Sequence, residues 1–353
     1  MLSRPLRAAD VTLLPSPLLG PWRAPEAAPS APRAWLPERV HRDDQLEPWW
    51  DAGLPWDGAV ALPAGTRSLE LQNACPFRAY AELRLGCEAL DASEPGVPAD
   101  LRGRLLHATL QGLWRELGDS STLGALTAEA LDERIGQSVD AAAQALLAGQ
   151  SAPPSPASLA RERRRARRLV RELCELERAR PAFSVRDTER PVQLTLAGLS
   201  LHMRIDRVDV LQGDALAILD YKSGQAVRAD WYGPRPSHPQ LLAYLAALGE
   251  AVQALATVHL TAREIGFHGI AARRELVPGL EAAKASGEGA DPWRERLAAW
   301  QAVLERLAVA FAQGEATVDP KPGACEYCHL AALCRIGERP EAGAAELETE
   351  SSA

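Results

Sequence analysis

Residues 186–224 alternate between apolar and polar side chains in three runs, and this pattern constrains the fold more than any other part of the chain. The runs are RDTERPVQLTL, LSLHMRIDRVDVL and ALAILDYKSG, and they are interrupted by Ala197-Gly198 and by the QGD turn at 212–214. A period of two residues is typical of half-buried strands, and short interruptions containing Gly are typical of hairpins. The segment therefore predicts a three-stranded antiparallel meander.

Helical periodicity appears on both sides of this meander. The first predicted helix begins after Ser68 as its N-cap. Further helices are predicted over Arg102–Leu117, Thr127–Leu147, residues 238–249 and Pro292–Ala312. At least one further strand is expected, over Ala256–Ala262. Helices and strands thus share one chain.

The chain has 353 residues and is 46% hydrophobic, so it can bury a sizeable core. Residues 1–66 are rich in Pro and Trp and lack a sustained period, which predicts an arm or linker before a domain over 67–336. Residues 337–353 form an acidic tail. No run approaches the roughly 18 uncharged apolar residues of a membrane helix, and the start lacks a signal-peptide pattern. We therefore expect a soluble, cytoplasmic protein without a membrane partner.

Net charge is −8, from 39 basic and 47 acidic residues, which ordinarily argues against a nucleic-acid partner. The tail, however, holds five Glu and one Arg, so the remainder carries −4. Residues 160–180 contain nine Arg and four Glu. This segment is either a solvated helix or a face that follows phosphates. No GxxxxGK[ST] occurs, so the chain carries no phosphate-loop motor.

The second hairpin predicts a cluster of charged side chains. With Gly213 at its centre, Asp206 lies directly opposite Asp220. Because side chains alternate along a strand, Lys222 shares the face of these two carboxylates, whereas Asp209 points the other way. Two acids and one amine would then converge on one patch.

Facing carboxylates repel each other unless a cation lies between them, and hard oxygen ligands suit Mg²⁺. A metal there could activate water, while Lys222 orients it or stabilises developing negative charge. Lysine is rare in this chain, which has three (Lys222, Lys284 and Lys321) among its 39 basic residues. The alternative is an ordinary strand end with surface charges.

Two helical pairs have i, i+4 spacing. Gly103 and His107 place an imidazole one turn from a residue small enough for a close backbone approach, and Gln240 and Tyr244 place an amide beside a phenol. Either pair alone could be packing.

Three thiols lie within ten residues, at Cys325, Cys328 and Cys334. This spacing is typical of a metal centre, and disulfides are not expected in a cytosolic chain. A fourth ligand must come from elsewhere, and the candidates are Cys75, Cys87, Cys174 and His329. Zinc and an iron–sulfur cluster both accept four thiolates, so the spacing does not separate them.

The ordered motifs GRLLH, RIDRVD, ILDYKSG and QLLAY resemble those of the PD-(D/E)XK nuclease superfamily in its RecB-like branch. CPFRAYAELRLG and the C-x2-C-x5-C group resemble the iron–sulfur version in AddB-type helicase–nuclease subunits. The resemblance covers about residues 68–336. It implies a restriction-endonuclease-like α/β core, with a central mixed sheet flanked by helices and closed by a four-cysteine iron–sulfur staple.

The resemblance also implies roles for individual residues. The metal ligands for Mg²⁺ or Mn²⁺ would be His107, Asp206 and Asp220, with Lys222 as the catalytic lysine. Gln240 and Tyr244 would join the catalytic group from a neighbouring helix, and Glu189 could support the site from behind. The implied ligands of a 4Fe–4S cluster are Cys75, Cys325, Cys328 and Cys334.

The function expected from this resemblance is a Mg²⁺-dependent DNA nuclease, an exonuclease in repair or recombination, working alone or with a helicase or helicase–nuclease subunit. One alternative is a catalytically silent DNA-binding or scaffolding subunit. Another keeps the cysteines as a zinc knuckle in a binding module and treats the DYK sequence as surface.

Overall fold

The computed structural model describes residues 7–8, 11–12, 53–56, 65–89, 96–148, 153–224, 230–249, 251–284 and 291–338. Contacts divide the chain into two units, 1–51 and 52–353. The first contains two short antiparallel strands, β1 (Arg7–Ala8) and β2 (Val11–Thr12). Most of the predicted arm, and the acidic tail from residue 339 onward, lie outside the described residues.

The second unit is built on a six-stranded sheet in the order β3-β4-β5-β6-β7-β8. Its strands are β3 (Ser184–Leu196), β4 (Leu199–Val210), β5 (Leu216–Lys222), β6 (Val252–Leu260), β7 (Ile265–Ala271) and β8 (Leu280–Ala282). The β5–β6 and β7–β8 pairs are parallel and the other pairs are antiparallel. The predicted mixed sheet and its antiparallel meander are confirmed.

The two predicted turns set the register of the meander. Ala197 and Gly198 both have positive φ, of 48° and 80°, which matches the right-handed twist of a two-residue hairpin. Gly213 has φ 72° inside the next turn. Arg207 pairs with Leu219 and Val210 with Leu216, which is the register predicted with Gly213 at the centre.

Helices cover both faces of the sheet. They are α1 (Arg67–Ala74), α2 (Pro76–Leu83), α3 (Ala99–Leu117), α4 (Ser120–Ala125), α5 (Ala128–Leu147), α6 (Pro156–Arg178), α7 (Pro239–Leu248), α8 (Pro292–Gln313) and α9 (Ala331–Cys334). One buried apolar cluster joins the sheet to α3, α4, α5 and α6. The other joins it to α1, α7 and α8.

The single helix predicted from Ser68 is wrong, because the chain breaks at Cys75 into α1 and α2. Cys75 is extended, with φ −166° and ψ 117°. Pro76 explains the break, since its ring disfavours helical geometry in the preceding residue and it has no N–H to donate. Ser68 is not the N-cap either. Its hydroxyl donates to the carbonyl of Gly65, and the helix begins at Arg67.

Residues 53–56 belong to the second unit and pack against its helices α2 and α8. The Trp56 N–H donates to the carbonyl of Ala312 at 2.6 Å, and the Arg84 guanidinium lies 5.4 Å from the Trp56 ring centroid. Among the helices that the structure describes, none combines the length and the apolar character needed to cross a bilayer.

Candidate active site where β5 ends

Asp206 and Asp220 each lie one residue beyond the Arg207–Leu219 pair, at the end of the β4–β5 ladder. Both carboxylates are largely buried, with residue exposures of 8% and 2%. Asp206 Oδ2 accepts a hydrogen bond from the Tyr221 N–H at 2.7 Å, which fixes its side chain at the end of β5. The hairpin therefore brings the two acids together as the sequence predicted.

His107 of α3 points at this pair. Its Nε2 lies 3.1 Å from the carbonyl oxygen of Tyr221, to which an Nε2–H would donate. Nδ1 then faces Asp206 Oδ1 at 3.4 Å. Gly103 permits the approach of α3, because a Cβ there would lie 3.3 Å from Ser223 Oγ just after β5.

Glu189 of β3 completes a group of possible ligands. Its Oε1 is 3.7 Å from His107 Nδ1, and the ligand atoms of His107, Glu189 and Asp206 all lie within 4.8 Å of one another. Glu189 has φ 50°, a left-handed conformation uncommon for such a residue inside a strand. The local strain is compatible with a functional position.

The carboxylates perturb their neighbours strongly. Burial lowers the pKa of His107, but hydrogen bonding to Asp206 and Glu189 outweighs it and raises the pKa to about 10. Burial raises the pKa of Asp220 to about 6; Lys222 opposes this shift and Asp206 adds to it. Such opposed shifts within one cluster are typical of functional sites.

Lys222 is oriented from two sides. Its Nζ lies 2.7 Å from Asp220 Oδ2 and donates to Gln240 Oε1 at 3.0 Å. Gln240 Nε2 in turn donates to the Tyr244 hydroxyl at 2.6 Å. Helix α7 thus holds the amine in place. Burial lowers the pKa of Lys222, but the Asp220 carboxylate more than compensates, so the pKa is raised and the amine stays charged.

Two neighbours of Lys222 carried no signal in the sequence. Burial raises the pKa of Glu70, on α1, while Lys222 lowers it. Burial, with a smaller contribution from Lys222, lowers the pKa of His238, just before α7, to about 4. Both belong to elements far from β5 in sequence, so no local spacing could have connected them.

A cavity of about 440 Å³ opens beside His107. Arg104 and Arg204 line it together with Gln111 and Glu189, and the Arg204 side chain is 68% exposed. Cationic side chains at the mouth of a carboxylate cluster are suited to a phosphate-bearing ligand.

Behind the site, on the opposite face of β4, lies a buried ionic cluster. Arg207 donates to both carboxylate oxygens of Asp209, at 2.6 and 2.8 Å, and to Glu177 at 2.7 Å. Arg180 lies 3.0 Å from Asp209, and these four side chains are 0% exposed. Asp209 therefore points away from Asp206, as predicted. The ion pairs of the cluster connect β4 to Glu177 of α6 and to Arg180.

The arginine-rich helix α6 is largely explained by packing. Arg163 and Arg167 pair with Asp140, and Arg171 pairs with Asp132, both acids of α5. These ion pairs favour the interpretation of residues 160–180 as a solvated structural helix over a phosphate-following face.

Cys325 lies near enough to three other cysteines for their thiols to act on it electrostatically. Burial raises the pKa of Cys325, and the neighbouring thiols of Cys328, Cys75 and Cys334 raise it further. A backbone hydrogen bond from Lys321 to the carbonyl of Ala74, at 2.8 Å, joins the two segments that carry them.

Two other candidates for the fourth ligand, Cys174 and His329, have different surroundings. Cys174 is 0% exposed in the core beneath α6, where burial raises its pKa to about 12. His329 Nε2 lies 2.9 Å from the carbonyl oxygen of Cys87, so this ring nitrogen is used by the backbone.

The family model described as the PD-(D/E)XK nuclease superfamily matches residues 66–335. No curated protein sequence matches the chain. A crystal structure named "Putative exonuclease", from Eubacterium rectale, is 14% identical over 76% of this chain and 82% of that chain, with a TM-score of 0.33. A likeness at that level does not bear on function.

Proposed function

The chain belongs to the PD-(D/E)XK nuclease superfamily, and from this we propose that it is a metal-dependent nuclease that hydrolyses phosphodiester bonds in DNA. The observation that carries the proposal is the convergence of His107, Glu189 and Asp206 on one point beside Asp220 and Lys222. Single-residue motifs could be accidental. Five ionisable side chains from four elements meet in one partly buried patch, which is not what a surface strand end would show.

The residues fit a divalent cation. His107 directs Nε2 at a backbone carbonyl, which is how metal-binding histidines are oriented, and leaves Nδ1 facing the carboxylates. Asp220 is 2% exposed, and its Oδ2 faces the Lys222 amine at 2.7 Å. We propose His107, Glu189, Asp206 and Asp220 as the ligands of Mg²⁺ or Mn²⁺. Such an ion supplies Lewis acidity toward phosphate and lowers the pKa of bound water.

The remaining residues of the site have separable roles. Lys222 stabilises the negative charge that accumulates on the phosphate, and Gln240, held by Tyr244, is a positioning residue for its amine. Arg104 and Arg204 bind the phosphates of the strand in the cavity. By its resemblance to AddB-type subunits, the protein would work on DNA ends, alone or with a helicase partner, in repair or recombination.

The test is cleavage of end-labelled single-stranded and linear duplex DNA by protein purified without oxygen, in Mg²⁺, Mn²⁺ or EDTA. We expect the labelled DNA to become shorter with either metal and to stay intact in EDTA. DNA that is bound but left intact under both metals would contradict a nuclease and would favour the silent scaffold.

Glu189→Gln tests the ligand set without relying on activity. A ligand that binds only the folded state stabilises it, by about 2.7 kcal/mol at one hundred times its Kd. We expect Mg²⁺ to raise the melting temperature of the wild type and of Glu129→Gln, an exposed acid on α5, but to have little effect on Glu189→Gln. Equal Mg²⁺-induced shifts in the two variants would remove Glu189 from the ligand set.

We further propose that Cys75, Cys325, Cys328 and Cys334 bind a 4Fe–4S cluster, as in the AddB-type branch. Zn²⁺ also accepts four thiolates, so the iron content and visible absorption of protein purified without oxygen distinguish the two metals.

Cys328→Ala is expected to lower iron content, visible absorption and stability together. The cluster would join Cys75 to Cys325, which are 250 residues apart in sequence. Closing a loop of that length contributes up to about 5 kcal/mol in a chain-entropy estimate. The control is Cys87→Ala, another partly exposed thiol. Iron analysis, the visible spectrum and the melting temperature are the measurements, and a Cys328→Ala protein with unchanged melting temperature would argue against a stabilising cluster.

A further inference from the structure

The β6–β7 hairpin carries a second group of possible metal ligands, formed by His259, Glu264 and His268. Their ligand atoms all lie within 4.8 Å of one another. His268 Nε2 is 2.7 Å from Glu264 Oε1, and His259 Nδ1 is 3.9 Å from Glu264 Oε2. The two imidazole rings lie 4.5 Å apart between centroids.

Glu264 lies at ion-pair distance from both imidazoles, but neither contact has the geometry of a standard hydrogen bond. His259 Nδ1 and His268 Nε2 are both buried and have no hydrogen-bond partner, although the carboxylate of Glu264 is near. Leaving two such nitrogens unpaired is costly. A nitrogen and an oxygen 2.7 Å apart, but off the N–H direction, are arranged as neighbouring ligands of one ion. His259 is 4% exposed, so water does not solvate it freely.

The hairpin holds these side chains in place. The Thr261 hydroxyl accepts from the N–H of Glu264 at 3.0 Å and donates to its carbonyl at 3.1 Å, which fixes the turn that carries the carboxylate. Gly266 lies directly opposite His259 in the ladder. A Cβ at Gly266 would lie 3.6 Å from His268 Nε2, so a longer side chain would fill the space between the ligands.

The ligand types select a class of metal. Two imidazoles with one carboxylate suit borderline divalent transition ions such as Zn²⁺ better than Mg²⁺, which prefers oxygen ligands. Three protein ligands also leave at least one coordination position open to water or an anion.

This group lies on the same face of the sheet as the candidate active site. His259 is the direct partner of Lys222 in the parallel ladder, and His268 is the partner of Thr257, which pairs with Asp220. Paired residues share a face, and neighbouring strands are about 4.8 Å apart. We propose that His259, Glu264 and His268 form a second metal site, for a divalent transition ion, one strand away from Lys222.

The experiment is calorimetric titration of Zn²⁺ into the full chain, purified without oxygen, with Mg²⁺ in excess to compete for the oxygen-rich centre. We expect the wild type to bind one equivalent of Zn²⁺ under these conditions. His268→Ala and Glu264→Gln should bind Zn²⁺ at least about 100-fold more weakly than the wild type. Both side chains are more than 40% exposed, so the substitutions should not disturb folding. His202→Ala, an exposed histidine on β4, is the matched control and should bind like the wild type.

Co²⁺ in place of Zn²⁺ identifies the ligands independently. We expect ligand-field bands that disappear in His268→Ala, without the charge-transfer absorption of Co²⁺–thiolate bonds. Zn²⁺ affinities that are equal in His268→Ala and His202→Ala would overturn the proposal, as would a thiolate band, which would place the ion on the cysteines. Because the experiment measures metal binding, a lack of nuclease activity would contradict the proposed function but not this metal site.

Discussion

Lys222→Ala is expected to lower the turnover rate of Mg²⁺-dependent DNA cleavage by about 10³-fold, while DNA affinity changes only a few-fold. Removal of one preorganised group that stabilises developing charge costs about 10²–10³ in rate. The upper end is expected because Lys222 is held by Gln240 and kept charged by Asp220. Its stabilisation therefore requires no rearrangement during the reaction.

The chain offers a matched control in Lys284→Ala, one of its two other lysines, which is exposed at the end of β8. Single-turnover cleavage of end-labelled DNA with enzyme in excess measures the chemical step, and a filter-binding titration in Ca²⁺ measures affinity. Cleavage by Lys222→Ala within about tenfold of Lys284→Ala would exclude Lys222 from charge stabilisation. A parallel loss of affinity would instead assign it to ground-state binding.

The hairpin half of this site could be predicted from sequence because its geometry is local. Gly213 marks the turn, and the strand period then places Asp206 opposite Asp220 and Lys222 on their face. The side chains that join from elsewhere could not be placed in that way. His107 lies 99 residues before Asp206, and only the resemblance to a nuclease family connected the two.

Other parts of the site depend on backbone detail that a pattern does not encode. Glu189 reaches His107 from a left-handed position inside β3, whereas regular alternation would not single out that residue among the other polar side chains of the strand. Glu70 and His238 approach Lys222 through tertiary packing of α1 and α7. By contrast, the break between α1 and α2 was readable from Pro76, which ends a helix by simple sterics.

The ionic cluster beneath β4 was missed for a different reason. In the RIDRVD motif, Arg207 and Asp209 share one face of the strand, and nothing in the sequence places buried partners beside them. In the structure both faces of this part of β4 are covered, and every residue from Ile205 to Asp209 is buried. A charge pattern alone cannot distinguish a solvated arginine from one that is paired with buried carboxylates.

Arg207→Met is expected to lower the free energy of unfolding by about 3–5 kcal/mol, the usual cost of removing one partner from a buried ion pair. It would leave Glu177 and Asp209 buried with Arg180 as their shared counter-ion. It would also remove the guanidinium packed 3.8 Å from the centroid of the Trp114 ring. Urea unfolding measures the effect, and Arg204→Met, a neighbouring β4 arginine whose side chain is 68% exposed, is the matched control.

The same cluster predicts a pH dependence with a definite sign. Burial raises the pKa of Glu177, but Arg207 and Arg180 outweigh it, so the pKa lies below its ordinary value. Its stabilising contribution is therefore complete above the unfolded-state pKa, about 4.3, and is lost as the pH falls through the lower folded-state value. Glu177→Gln should lower stability at pH 7, and this deficit relative to the wild type should shrink on acidification below about pH 4. A deficit that stays constant from pH 7 to pH 3 would show that Glu177 contributes through packing rather than through its charge.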